Sequence, residues 1–167
     1  RVVVFMEPIA LYPQRDLFDD ADGQWMRTYP KEGRARVDEV SVRGYGNDVA
    51  VVTYGNGVLL SKKARKDVEA TGLSMRIVDL RWLKPLPLRS LLTALEGVSR
   101  VLVVDECRRT GNLSEEIVTA LTEAGWAADR VSRLTADDSF IATGPAYAAT
   151  LPSAVSIAQA VTAFSRP

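Results

Sequence analysis

The chain has 167 residues, with 21 Lys plus Arg against 21 Asp plus Glu. That length suits one domain with a sizeable core, and the balanced charge offers no net field to recruit nucleic acid or an anionic membrane. Histidine is absent and cysteine occurs once, which excludes a Ser-His-Asp or Cys-His nucleophile pair, an internal disulfide, and any zinc site not built almost wholly from carboxylates.

The chain opens at Arg1 directly in an apolar run, Val2-Val3-Val4-Phe5. This reads as a strand of a preceding domain, cut from the interior of a longer polypeptide or left after a disordered start. Residues 13–39 then show no period, mixing Asp19-Asp20, Asp22, Lys31, Glu32, Arg34 and Arg36 with Trp25, Met26, Tyr29 and Pro30. A stretch of that length without secondary structure is uncommon inside a compact domain, so the expectation is an irregular connector whose aromatics pack on something. It would join residues 1–12, the end of a preceding domain, to an α/β domain over residues 40–167.

From Val40 the pattern becomes regular. Val40–Arg43 reads as an edge strand, and Val49–Tyr54, Met75–Asp79, Arg100–Val104 and Arg130–Leu134 as further strands. Helices are expected over Val58–Thr71, Pro87–Leu95, Asn112–Ala124 and Pro152–Phe164. In the first of them Leu60, Ala64 and Val68 line one face, while Lys62, Lys63, Arg65, Lys66 and Glu69 are solvated. Strands and helices alternating at these lengths predict a three-layer α/β/α domain on a mostly parallel five-stranded sheet. No apolar run approaches the roughly 18 residues of a membrane span and no signal sequence opens the chain, so a soluble, cytoplasmic protein is expected.

Tyr54-Gly55-Asn56-Gly57 lies where a strand meets a helix, with Asp79 at the end of the next strand, the positions of a dinucleotide-binding turn and its ribose acid. Leu60 occupies the third-glycine position, however, so a tight strand-to-helix turn is the better reading. In Asp79-Leu80-Arg81-Trp82-Leu83-Lys84-Pro85-Leu86-Pro87 the prolines fix φ, Pro87 suits the first turn of a helix, and Asp79 and Arg81 are placed to pair across a structural corner.

The densest stretch is Val101–Ile117, read as a buried strand ending at Asp105-Glu106, a polar loop and a capped helix. Asn112 is placed to accept a hydrogen bond from the amide three residues on, with Glu115 as the capping-box acid. Leu113, Ile117, Leu121 and Ala124 recur at helical spacing, and Gly125 stops the helix. Glu106, Cys107, Arg108, Arg109, Thr110 and Asn112 share this loop, and no general base accompanies Cys107. The adjacent guanidiniums suit carboxylate recognition or a subunit contact better than catalysis. Asp137, Asp138 and Phe140, with Thr143-Gly144-Pro145, form a second loop on the same sheet edge, where too few ligands gather for a cation site.

In order and spacing these segments resemble a family. Phe5-Met6-Glu7-Pro8-Ile9-Ala10-Leu11-Tyr12, Tyr54-Gly55 with Val58, Asp79-Leu80-Arg81 with Leu83 and Pro85, Glu106 with Thr110-Gly111 and Glu116-Ile117, and Arg133 with Asp137 and Phe140 carry the likeness. The chain is similar to the C-terminal, transketolase-like domain of the β subunit of the thiamine-diphosphate-dependent decarboxylating component of 2-oxo acid dehydrogenases, of pyruvate or branched-chain type. It departs from the pattern at Ile9, Asp105, Cys107 and Asn112, where the family has lysine, histidine, alanine and glycine, and its connector is long.

The resemblance implies a parent enzyme that decarboxylates a 2-oxo acid and acylates lipoyllysine, using thiamine diphosphate and magnesium held by parts outside this chain. No catalytic, cofactor or metal residue is expected here, and the chain alone should be inactive. Residues 1–12 would end the pyrimidine-binding domain. Residues 40–167 would shape the contacts of a homodimer or α/β heterotetramer and dock the peripheral-subunit-binding domain of a lipoyl acyltransferase. Candidate docking residues are Glu106, Arg108, Arg109, Thr110, Asn112, Asp137, Asp138 and Phe140. Two alternatives stay open: the C-terminal domain of a transketolase or deoxyxylulose-phosphate synthase, and a stand-alone flavodoxin-like nucleotide-binding or adaptor module.

Overall fold

The structure, a computed structural model, describes residues 2–28, 31 and 35–165. In chain order it contains β1 (Ser41–Arg43), β2 (Val49–Thr53), α1 (Asn56–Ala70), β3 (Met75–Asp79), α2 (Leu88–Ala94), β4 (Arg100–Arg108), α3 (Leu113–Glu123), β5 (Val131–Ala136) and α4 (Ala154–Ser165). The strands form one five-stranded sheet in the order β1-β3-β2-β4-β5, parallel except for the antiparallel edge strand β1. This is the expected three-layer α/β/α architecture with its edge strand. No helix among the described residues is long and apolar enough to cross a membrane.

The period-2 alternation of a strand explains why two apolar layers form. On β2, Ala50 and Val52 face Leu91, Leu95, Ile117 and Leu121 of α2, α3 and the residue after α2. Val49 and Val51 face the other way, onto Ala64 and Val68 of α1 and Ile157 and Val161 of α4. Central β2 is therefore buried along its whole length. Complete burial of one such side chain as Ile77 contributes about 2 to 3 kcal/mol, and this repeated burial holds the sandwich together.

Glycines close the β2–α1 turn for two separate reasons. Gly55 has φ +54°, a left-handed conformation that side chains resist. A Cβ on Gly57 would stand 2.0 Å from Thr53 Oγ1, so the first turn of α1 lies against the strand only because that position is bare. Tyr54–Gly57 is thus the tight turn expected. The buried face of α1 is wider than Leu60, Ala64 and Val68, because Val58, Leu59 and Ser61 are buried while Leu60 is only half-buried.

Several local expectations are corrected. β4 does not stop at Asp105-Glu106; it runs to Arg108 through a bulge, Asp105 pairing with Thr135 and Arg108 with Ala136. A bulge continues a strand with polar residues by turning the chain out of the core. Asn112 caps α3 through Ser114 N, two residues on rather than three, at 3.0 Å. Glu115 accepts from Gly111 N at 3.0 Å instead of closing a capping box on Asn112. Pro87 stands just before α2. Arg81 makes no ion pair with Asp79. Its amide donates to Asp79 Oδ1 at 3.2 Å, and its guanidinium reaches the carbonyls of Val40 and Glu39 at 3.0 and 3.1 Å.

The Val2–Phe5 strand is absent. Those residues pair with no strand of this sheet, and their side chains are 71–94% exposed. A single 3-10 turn, Ile9–Leu11, follows. Residues 16–24 of the connector are irregular but ordered by hydrogen bonds: Asp22 accepts from the amides of Leu17, Phe18, Asp19 and Gln24 at 2.7–3.0 Å, and Asp16 accepts from Gly23 N at 2.8 Å. Its aromatics do pack, on α1, where Lys62 Nζ lies 4.9 Å from the Trp25 ring and Lys66 Nζ 5.6 Å from the Phe18 ring. Tyr29, Pro30, Glu32 and Arg34 lie outside the described residues.

Candidate functional site

Along the sheet, β3 lies to one side of β2 and β4 to the other, so the connections reverse direction at β2. The carboxyl ends of β2 and β4 flank that reversal, the place where open α/β sheets present a crevice. Asp105 sits there, 1% exposed. Its Oδ1 accepts from Tyr54 Oη at 2.7 Å and Cys107 N at 2.9 Å, and its Oδ2 accepts from Ser114 N at 3.1 Å. One carboxylate thereby ties the end of β2, the bulge of β4 and the first turn of α3. Beside it, Asn56 Nδ2 donates to Glu106 Oε1 at 2.6 Å, joining α1 to β4.

The electrostatics of this cluster favour protonated groups. Burial, then the hydrogen bond to Asp105, raises the Tyr54 phenol far above its ordinary value. Burial also raises Glu106, against the Asn56 hydrogen bond and with help from the Asp105 charge. The Cys107 thiol is raised too, again chiefly by burial. A nucleophilic cysteine needs the opposite shift; the Cys107 sulfur lies 3.7 Å from Tyr54 Oη. The cluster fixes loops; it contains no nucleophile with an activating base.

The two loops expected on this edge are brought together by one pair. Thr110 N and Oγ1 donate to Asp138 Oδ1 and Oδ2 at 2.8 and 2.6 Å, and these bonds hold the Asp138 carboxyl below its usual range. Arg108 Nε donates to Thr110 O at 3.2 Å, and Asn112 donates its amide to Arg108 O. Glu106 and Asn112 are therefore turned into the protein's own hydrogen bonds. Arg108, Arg109, Asp137 and Phe140 stand outward, Phe140 completely so at 101% exposure. Arg133 on β5 backs the loop, donating to Arg109 O and Ser114 Oγ at 3.2 Å each, with Glu115 Oε1 at 3.7 Å.

Sequence reasoning missed the Tyr54–Asp105–Ser114 bridge and the Asn56–Glu106 pair. The one available signal was that both partners fall at carboxyl ends of strands; nothing local announces a bond across 51 residues.

A diphosphate with its metal does not fit this edge. Leu60 stands where a helix bearing a pyrophosphate needs glycine. Pro8 Cγ lies 3.3 Å from where a Cβ on Gly55 would be, over the turn a phosphate would approach. Both Asp105 oxygens are taken, and no group of three metal-ligating side chains forms among the described residues.

The family described as "Transketolase, C-terminal domain" matches residues 38–157. The "Pyruvate dehydrogenase E1 component subunit beta" of Staphylococcus aureus is 31% identical over 87 residues, covering 52% of this chain and 27% of its own length. That of Staphylococcus epidermidis is 27% identical over 121 residues, covering 72% and 34%. The chain thus spans about a third or less of the curated relatives it matches.

In structure, "Split gene transketolase, inactive beta4 tetramer" aligns with TM-score 0.71 at 22% identity, over 83% of this chain and 45% of its own. A 2-oxoglutarate:ferredoxin oxidoreductase from Magnetococcus marinus aligns with TM-score 0.57 at 18% identity, over 77% and 20%. At those identities the likeness is one of fold. With the family match covering most of the α/β sandwich, the chain belongs to the transketolase C-terminal domain family, and it is similar to the β subunits of pyruvate dehydrogenase.

Proposed function

We propose that this chain is the C-terminal domain of the β half of a thiamine-diphosphate-dependent 2-oxo acid dehydrogenase, an oxidoreductase of a cytoplasmic multienzyme complex, and that it supplies assembly and docking surfaces. In this reading the parent takes pyruvate or a branched-chain 2-oxo acid, and thiamine diphosphate and magnesium are held elsewhere in the parent. Residues 1–12 end its pyrimidine-binding domain and 13–39 connect the two.

The observation that carries the reading is the split within the carboxyl edge. Asp105, Glu106, Asn112, Thr110 and Asp138 spend their polar groups on holding the loops. Arg108, Arg109 and Phe140 are left outward on that rigid base. Exposed guanidiniums and an exposed aromatic on one edge are the usual anchors of a protein contact, with carboxylates of the partner met in bidentate fashion. The same surfaces serve subunit contacts in a homodimer or α/β heterotetramer.

The test is calorimetric titration of the chain with the peripheral-subunit-binding domain of a lipoyl acyltransferase. Saturable binding that is lost in R108E/R109E is expected. Absence of binding, or binding indifferent to those charges and to Phe140→Ala, contradicts the assignment.

A further inference from the structure

Away from the carboxyl edge, four cationic side chains gather where edge strand β1, helix α1 and the connector meet. Arg43 shares the face of its register partner Ile77, the face covered by α1. The Arg65 guanidinium lies against the next residue: its Nη1 is 2.8 Å from where a Cβ on Gly44 would stand. One turn earlier on α1, Lys62 is held over the ring of Trp25, and Arg27 follows two residues later, its Nη1 anchored to Gln24 O and Met26 O at 3.2 and 3.1 Å. Burial, then the fields of Arg27, Arg43 and Arg65, depresses the Lys62 ammonium below its ordinary value, so all four act on one region.

Two features distinguish this cluster from a solvated face. Arg43 Nε is buried with no hydrogen-bond partner among the described residues, and a buried donor of this kind calls for an acceptor. Ion pairs among the described residues also leave part of the cluster unmatched. Among the described residues Glu69 pairs with Arg65 at 2.6 Å and Asp79 feels Arg43, while Arg27 and Lys62 have no ion-pair partner.

We propose that Arg27, Arg43, Lys62 and Arg65 form a binding site for a dianionic oxyanion, a phosphate group or a dicarboxylate, at the β1–α1 edge beneath the connector. Guanidinium forks match such oxygens in geometry as well as charge. Trp25 orders the lysine, and an anion there would clamp the connector to the sandwich. The site is separate from the docking surface, and its failure leaves the proposed function untouched.

The test titrates the 167-residue chain with inorganic phosphate and, separately, malonate, at ionic strength held constant with sodium chloride, by calorimetry and tryptophan fluorescence. Saturable binding beyond the chloride control is expected, weakened at least about tenfold in R27Q/K62Q, while the melting temperature of the unliganded variant does not fall. Tighter binding of phosphate assigns the site to phosphoryl ligands and tighter binding of malonate to dicarboxylates; either supports it. Heats no larger than those of matched chloride, or an unchanged affinity in R27Q/K62Q, overturn it.

Discussion

The α/β sandwich and the segment before it are held by different physics. Between β2 and α4 the chain buries about two dozen apolar side chains in two layers, whereas among the described residues of 2–39 Leu17 alone is a buried apolar side chain. The connector is ordered instead by the Asp22 and Asp16 carboxylates, which gather backbone amides, and by two cation–π contacts to α1. The contrast teaches that one chain can contain a cooperative core and an attached segment whose order is polar, local and separable.

Breaking the core should have the largest effect. Ile77→Ala removes a fully buried side chain from the α1/α4 layer and is expected to cost about 3 to 5 kcal/mol in urea unfolding. Next comes the carboxyl edge. Asp105→Ala strips the acceptor from Tyr54 Oη, Cys107 N and Ser114 N, for an expected loss of about 2 to 3 kcal/mol. A loss near zero would mean that water replaces the carboxylate and that the bridge does not organise the edge.

A smaller effect distinguishes the acid beside it. The folded pKa of Glu106 is raised by burial, so the native state holds its proton longer than the unfolded chain does. Its contribution therefore favours folding below its unfolded value and fades as pH rises through the folded one. Glu106→Gln keeps an acceptor for Asn56, and its melting temperature should exceed that of the wild type at neutral pH and converge with it in acid. Parallel curves at all pH values would remove the burial argument.

In the connector the sign reverses. Desolvation pushes Asp22 up, but four backbone donors outweigh it and hold the carboxyl well below its ordinary range. Its support is present above the unfolded value and is lost only as pH falls through the depressed one. Asp22→Ala should abolish hydrogen-exchange protection across residues 16–26 while leaving the sandwich transition in place. A fall of both together would show that the two regions unfold as one. Least of all, R108E/R109E should change stability by no more than about 0.5 kcal/mol, since both side chains are exposed.

What the sequence made legible follows the same division. The strands, helices and layers were readable because burial imposes a period on residues such as Val49–Val52 or Leu113, Ile117 and Leu121. Val2–Phe5 joins no strand of this sheet, because an apolar run states a demand for burial without naming the surface that meets it. The connector was opaque because Asp22 works through backbone amides, which carry no side-chain pattern. At the candidate site, the loop residues were found by type and position. Their sorting into inward and outward groups was not, since it depends on Tyr54 meeting Asp105 and Thr110 meeting Asp138 across long stretches of chain.

The central claim is that this domain contributes contact surfaces and leaves the chemistry to the rest of its parent. Its most direct test is to supply the purified chain with thiamine diphosphate, magnesium and pyruvate or a branched-chain 2-oxo acid and to measure released carbon dioxide. The expected result is no release above the protein-free control; turnover that scales with chain concentration would contradict the claim.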